Sequence, residues 1–252
     1  AQALMLFSTA FGLQHPELLP LIDAARDATL AYSSWLVARL PEMRGEAGVG
    51  RENYDWLLRN VYLMPYSWAD IERIIELEDN RVVTFQKLEE VRNRGLPVLE
   101  PVQSQEDYRA SVRESVDHLF EFIETKRLFS MPGYLTDEEY FGSWHGFDGP
   151  WPKRHDYFFN FSHRESLMEE AHEMVGHHFD ELRAENHPHL VRSGWRPHKI
   201  STARTEGFAF ALEELLIYAG YLDHRSPRAR EVAYEQAAFR TVRAMADLRM
   251  HS

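Results

Sequence analysis

Apolar residues recur three and four positions apart through most of the chain, a period that predicts helices rather than sheet. The first such run opens at Pro16, continues to about Leu40 and stops at Pro41 and the segment Gly45–Gly50. Ser67-Trp-Ala-Asp70 has the form of a capping box, so a helix is expected from there to about Arg94, before Gly95 and Pro97. Another is expected from about Ser104 to Leu128. Ser162-His-Arg-Glu165 reads as a second capping box, leading a helix to about Ala184. The last pair spans roughly Thr202–Ala219, closed by Gly220, and Pro227–Met250, opened after Ser226. Two stretches break the pattern. Ser130–Lys153 is rich in proline and glycine and carries Trp144 and Trp151, which predicts a long aromatic loop or lid. Asp156–Phe161 (DYFFNF) is the strand candidate, giving a small β element near 156–161 in a mainly α fold.

Composition narrows what this helical chain can be. The 252 residues include 44% hydrophobic positions, enough for a packed core, and no repeat or low-complexity linker marks a boundary, so 1–252 reads as one mostly helical domain. With 28 Lys+Arg against 40 Asp+Glu the net charge is −12, and no basic run is present to neutralise phosphates, so nucleic acid is excluded as a default partner. The longest uncharged apolar stretch, Ala3–Leu13, is shorter than the ~20 residues of a membrane span. No basic segment or cleavage site surrounds it, so a cytoplasmic protein is expected, with a removed signal peptide as the alternative. There is no cysteine, so any metal must sit on His, Asp or Glu.

Thirteen histidines are many for this length, and six fall between His163 and His189. The chemistry centres on Glu169-Glu-Ala-His172-Glu173-Met-Val-Gly176-His177-His178. In the H-E-x-x-H metal motif the histidines share a helix face at i and i+4, but here that position is Gly176, which has no ligand to offer. His177 lies about 140° round from His172 in an ideal helix, so both reach one ion only if the helix bulges or ends near Gly176. Glycine makes such a distortion cheap. Imidazole suits Zn²⁺ and Fe²⁺, each needing a third ligand from elsewhere. A solvated face with scattered His and Glu would account for the same residues.

A second segment, Arg204-Thr-Glu206-Gly-Phe-Ala-Phe-Ala-Leu-Glu213, puts two carboxylates seven apart on one stripe of an otherwise apolar helix. A carboxylate in such surroundings needs a partner, either a metal or a cation such as Arg204. On the last helix Gln236, Arg240, Arg243, Asp247 and His251 share a narrow polar face, which suits either the wall of a polar cavity or ordinary amphipathicity.

With these blocks in view, the chain resembles an uncharacterised bacterial family related to the gluzincin metallopeptidases, with signatures H-E-x-x-P-G-H-H and E-G-W-A-L-Y-A-E. The matching residues are His172-Glu-Met-Val-Gly-His177-His178 and Glu206-Gly-Phe-Ala-Phe-Ala-Leu-Glu213. Arg240-Thr-Val-Arg243-Ala-Met-Ala-Asp247-Leu-Arg-Met-His251-Ser252 is similar to the family's R-x-x-R-x-x-x-D-x-x-x-H-S block, and Gly50-Arg-Glu-Asn-Tyr54-Asp-Trp-Leu-Leu58 to its G-K-x-x-Y-x-x-x-L block. The proline before Gly176 is absent and the His-to-His spacing is one residue shorter. Family members continue past the H-S block, so the resemblance implies a single catalytic domain lacking a C-terminal segment found in its relatives.

What the resemblance implies is a zinc-dependent hydrolase of peptide or amide bonds with a helical, gluzincin-type fold. His172 and His177 would ligate the metal, the residues alone leaving His178 open as the second ligand, with Glu206 as third ligand and Glu173 as general base. His251 with Arg240 or Arg243 would stabilise an oxyanion or a substrate carboxylate. The strand Asp156–Phe161 would offer an edge to an extended peptide. The expected partner is a small molecule or short peptide, with no nucleic acid and no membrane, and no oligomeric state is implied. His-Glu-x-x-Gly-His is also similar to the H-E-L-L-G-H run of the aromatic amino acid hydroxylases, so a non-haem iron (Fe²⁺) oxygenase is one alternative. A non-catalytic binding protein is the other.

Overall fold

The computed structural model describes residues 15–45, 47–137, 157–189 and 202–252. The chain divides between Ala47 and Gly48 into two compact units, the division falling in the glycine-bearing segment that ends the first helical run. The first unit contains one long helix, α1 (Leu19–Arg39), between 3₁₀ turns at Pro16–Leu18 and Leu40–Glu42. Proline opens all three segments, where the missing N–H costs no hydrogen bond. Tyr32 stacks on Trp35, whose ring also carries the Arg39 guanidinium.

The second unit, Gly48–Ser252, holds α2 (Arg51–Asn60), α3 (Trp68–Arg92), α4 (Gln105–Lys126), α5 (Tyr157–Arg164) and α6 (Leu167–Glu170). A π-helix (Ala171–His178) follows α6 directly and runs into α7 (Phe179–Glu185), and α8 (Thr202–Ala219) and α9 (Arg228–Met250) complete it. The starts of α3 and α4 are those the sequence predicts. Ser67 accepts the Asp70 N–H while Asp70 accepts the Ser67 N–H, and Ser104 accepts the Asp107 N–H at 3.0 Å.

The core gathers beneath the π-helix. Val116, Leu119 and Ile123 of α4 meet Leu167, Met174 and Val175, and Leu212 and Leu216 of α8 close the other side. Full burial of each such side chain is worth roughly 1.5–3 kcal/mol, so the segment bearing the histidines is among the best anchored in the molecule. The helix α9 lies along α3, and α8 lies along the π-helix. The start of α3 is tied to the end of α9 by Trp68, whose indole N–H donates to the Leu248 carbonyl at 2.9 Å and whose face carries Arg51 at 3.8 Å.

The β element expected at 156–161 is not formed. Asp156 lies outside the described residues, and 157–161 begin the helix α5, with no strand anywhere among the described residues. An aromatic run favours a strand only where a neighbouring strand accepts its hydrogen bonds. Here they close within the segment, as from the Glu165 N–H to the Phe161 carbonyl at 2.9 Å. Phe161 is buried and Arg164 covers its ring. A sheet edge for an extended peptide is therefore absent from this site. Ser162 does not start a helix either, since it lies inside α5. The break falls at 165–166, where the Glu165 carboxylate accepts the Leu167 N–H. Within the expected lid at Ser130–Lys153, residues 138–153 lie outside the described residues, as does Ala3–Leu13. Among the described residues no helix is long and apolar enough to cross a membrane.

Candidate metal centre

The histidine spacing that does not fit an α-helix fits the helix that forms. Across Ala171–His178 the backbone bonds i to i+5, as where the Phe179 N–H reaches the Met174 carbonyl. The wider turn carries one extra residue and brings position i+5 over position i. His172 and His177 consequently face each other with their Nε2 atoms 3.1 Å apart and their rings at 82°. His178 points elsewhere, its Nε2 donating to the Thr136 carbonyl at 3.0 Å. The structure thus selects His177 over its neighbour.

Gly176 has a different role from cheap distortion. A Cβ at this position would lie 2.4 Å from the Ala209 Cβ and 2.9 Å from its Cα, so only glycine permits the approach of α8 to the π-helix. Glu206 precedes Ala209 by three residues and Glu213 follows it by four, which places both carboxylates on the stripe of α8 that faces the histidines. Glu206 Oε2 lies 3.7 Å from Nε2 of His172 and 3.7 Å from Nε2 of His177. On the opposite edge of the first ring, Glu213 Oε1 accepts from His172 Nδ1 at 2.7 Å. The same imidazole is held between two carboxylates seven residues apart.

That second contact fixes the chemistry of the first. Because a carboxylate only accepts, the His172 proton sits on Nδ1 and Nε2 presents a lone pair toward His177 and Glu206. Glu213 is in turn held by Arg240, whose Nη1 donates to Oε1 at 2.8 Å and Oε2 at 2.7 Å. Arg240 also lies over the Phe210 ring at 4.4 Å, and Phe210 meets His172 edge to face at 5.2 Å. This is the carboxylate–histidine arrangement that orients metal ligands in proteins. Behind the π-helix, Gln236 donates to Glu169 at 2.7 Å, and burial pushes the Glu169 carboxyl above its ordinary range despite that bond.

The donor set can accommodate a divalent ion. The point equidistant from the two Nε2 atoms and Glu206 Oε2 lies about 2.0 Å from each, the length of Zn–N and Zn–O bonds. Glu173 contributes a further carboxylate, close enough to form a potential metal-binding group with His172 and His177. The imidazoles are mostly covered, at 7% and 23% exposure, whereas Glu206 is 47% exposed, so the cluster opens to solvent on the α8 side.

Other expected site residues are placed differently. Arg204 is not the partner of Glu206, because it makes a two-point ion pair with Asp180 at 2.6 and 3.0 Å. Arg240 reaches the centre, but its guanidinium is engaged by Glu213, so it positions His172 rather than facing a substrate. Arg243 is an exposed residue of the same helix. His251 follows Arg240 by eleven residues, about 16 Å along the axis of a helix. There its Nδ1 accepts the Val49 N–H at 3.3 Å and its ring lies against Tyr54. The oxyanion role expected of Arg240 and His251 is not one this geometry builds. Conversely, the orienting role of Glu213 emerges only here. Its spacing from Glu206 was the available signal, but the spacing does not say which imidazole edge each carboxylate meets. Comparison of the chain with protein-family models, curated proteins and solved structures finds no match.

Proposed function

We propose that the chain is a metal-dependent hydrolase of peptide or amide bonds, with zinc held by His172, His177 and Glu206 and with Glu173 as general base. The observation that carries this reading is the convergence of two imidazole Nε2 atoms and one carboxylate oxygen at bonding radius, beside a carboxylate one residue from the first ligand. Zinc bound there supplies a Lewis acid that polarises a carbonyl and acidifies water. The protein's own groups do the rest. Glu173 takes the proton from the attacking water and returns it to the leaving nitrogen. Glu213 holds His172 in one tautomer and orientation, and Arg240 balances the Glu213 charge. The half-exposed Glu206 side admits a small molecule or short peptide.

Elemental analysis and a hydrolysis screen against short peptides and N-acyl amino acids test the proposal. One zinc per chain is expected, with Glu173→Gln retaining the metal and losing hydrolysis. Iron in place of zinc with dioxygen-dependent turnover, or full hydrolysis by Glu173→Gln, overturns it.

A further inference from the structure

A cavity of about 360 Å³ opens between α3, α8 and α9, on the far side of Glu213 and Arg240 from the histidine pair. This volume lies within the range, roughly 300–1,000 Å³, of small-molecule sites. Ile74 and Ile75 of α3, Ile217 of α8 and Ala237 of α9 supply apolar wall, and Phe210 separates the cavity from His172. The charged groups on the lining and the Thr241 hydroxyl have already found partners in the protein. Arg81 donates to Glu78 and to Glu214, Arg240 is bound by Glu213, and the Thr241 hydroxyl donates to Asp79 at 2.6 Å.

These two properties define an occupant. A charged ligand would have to break one of these ion pairs and leave a partly buried charge without its partner, which is costly. An apolar ligand needs no hydrogen bond from the wall and removes the exposed surface of residues such as Ile74, 45% exposed, from water. We infer that this cavity is a binding site for a neutral, apolar small molecule, distinct from the metal centre and independent of the reading proposed for it.

The probe is N-phenyl-1-naphthylamine, a neutral fluorophore that brightens in apolar surroundings, with 8-anilinonaphthalene-1-sulfonate as the same ring system bearing a charge. Saturable binding of one N-phenyl-1-naphthylamine per chain is expected, with the sulfonate binding about tenfold more weakly or worse. Ala237→Phe fills the cavity from α9, and Ala211→Phe fills it from an exposed position on α8, where a larger side chain displaces less packed core. Each is expected to weaken binding about tenfold or more while circular dichroism stays unchanged. His177→Ala is expected to leave it unaffected, which separates the cavity from the metal centre. Lack of saturation overturns the proposal, as does equal binding by the folded phenylalanine variants. So does probe release that tracks a concentration-dependent dimer, since a second copy would then be the occupant.

Discussion

Gly176 and Ala209 are in contact so close that a methyl group on the glycine would lie 2.4 Å from the alanine Cβ. Because Glu206 and Glu213 flank Ala209 on the same stripe, this contact sets the distance between the carboxylates and the histidines. Gly176→Ala must push α8 away, at a cost of about 1–3 kcal/mol, typical of an overpacked core. We expect a lower melting temperature and weaker zinc binding, with part of both recovered in Gly176→Ala/Ala209→Gly. Thermal unfolding with and without zinc measures both, and an unchanged melting temperature for the single variant would show that the helices are not held by this contact.

The two adjacent histidines separate cleanly. His177→Ala removes a donor 3.1 Å from His172 Nε2 and should abolish stoichiometric zinc uptake. His178→Ala removes a side chain that bonds the Thr136 carbonyl, away from the His172–His177 pair, and should leave uptake intact. Metal content after dialysis distinguishes them, and the reverse pattern would reassign the ligand.

The Arg240, Glu213 and His172 series predicts graded losses. Glu213→Gln keeps the shape but weakens the hold on the His172 proton, and metal affinity should fall about 10–100-fold. Arg240→Met leaves the nearly buried Glu213 without its cation, so stability should drop by about 3–5 kcal/mol, the cost of breaking a buried pair. Competition with a chelator reads the first effect and denaturant unfolding the second. Wild-type behaviour in both variants would remove this chain of contacts from the account.

The buried Glu169 predicts a pH signature. Burial raises its carboxyl above the ordinary 4.5, and the neighbouring Glu173 acts in the same direction. The folded state therefore holds this proton more tightly than the unfolded chain. Its contribution is fully present below about pH 4.5 and declines as pH rises through the folded value. In Glu169→Gln the amide oxygen still accepts from Gln236 but cannot ionise. Its melting temperature should show a shallower decline than wild type as pH rises above 4.5. Parallel curves would exclude Glu169 as the source.

Much of the helical layout was legible because its signals are local. Ser67 and Ser104 cap the next turn of their own helices, Gly220 adopts a positive φ of 92° at the end of α8, and three- and four-residue spacing marks the buried faces. That Glu206 and Glu213 share a stripe of α8 was legible for the same reason, since helix geometry fixes which residues share a face. Asp156–Phe161 was misread because aromatic content suits a strand or a buried helix equally, and the choice rests on whether a partner strand exists.

The amino-acid sequence alone determined the helical class, the absence of thiol ligands and the identity of the segments able to hold a metal, since composition and period are properties of the chain itself. Only the tertiary structure decided that residues 171–178 widen into a π-helix, that His177 rather than His178 meets His172, and that Arg240 faces Glu213. Those choices depend on how closely α8 and α9 pack against the histidine segment. That distance is set by side chains as far apart in sequence as Gly176, Ala209 and Arg240.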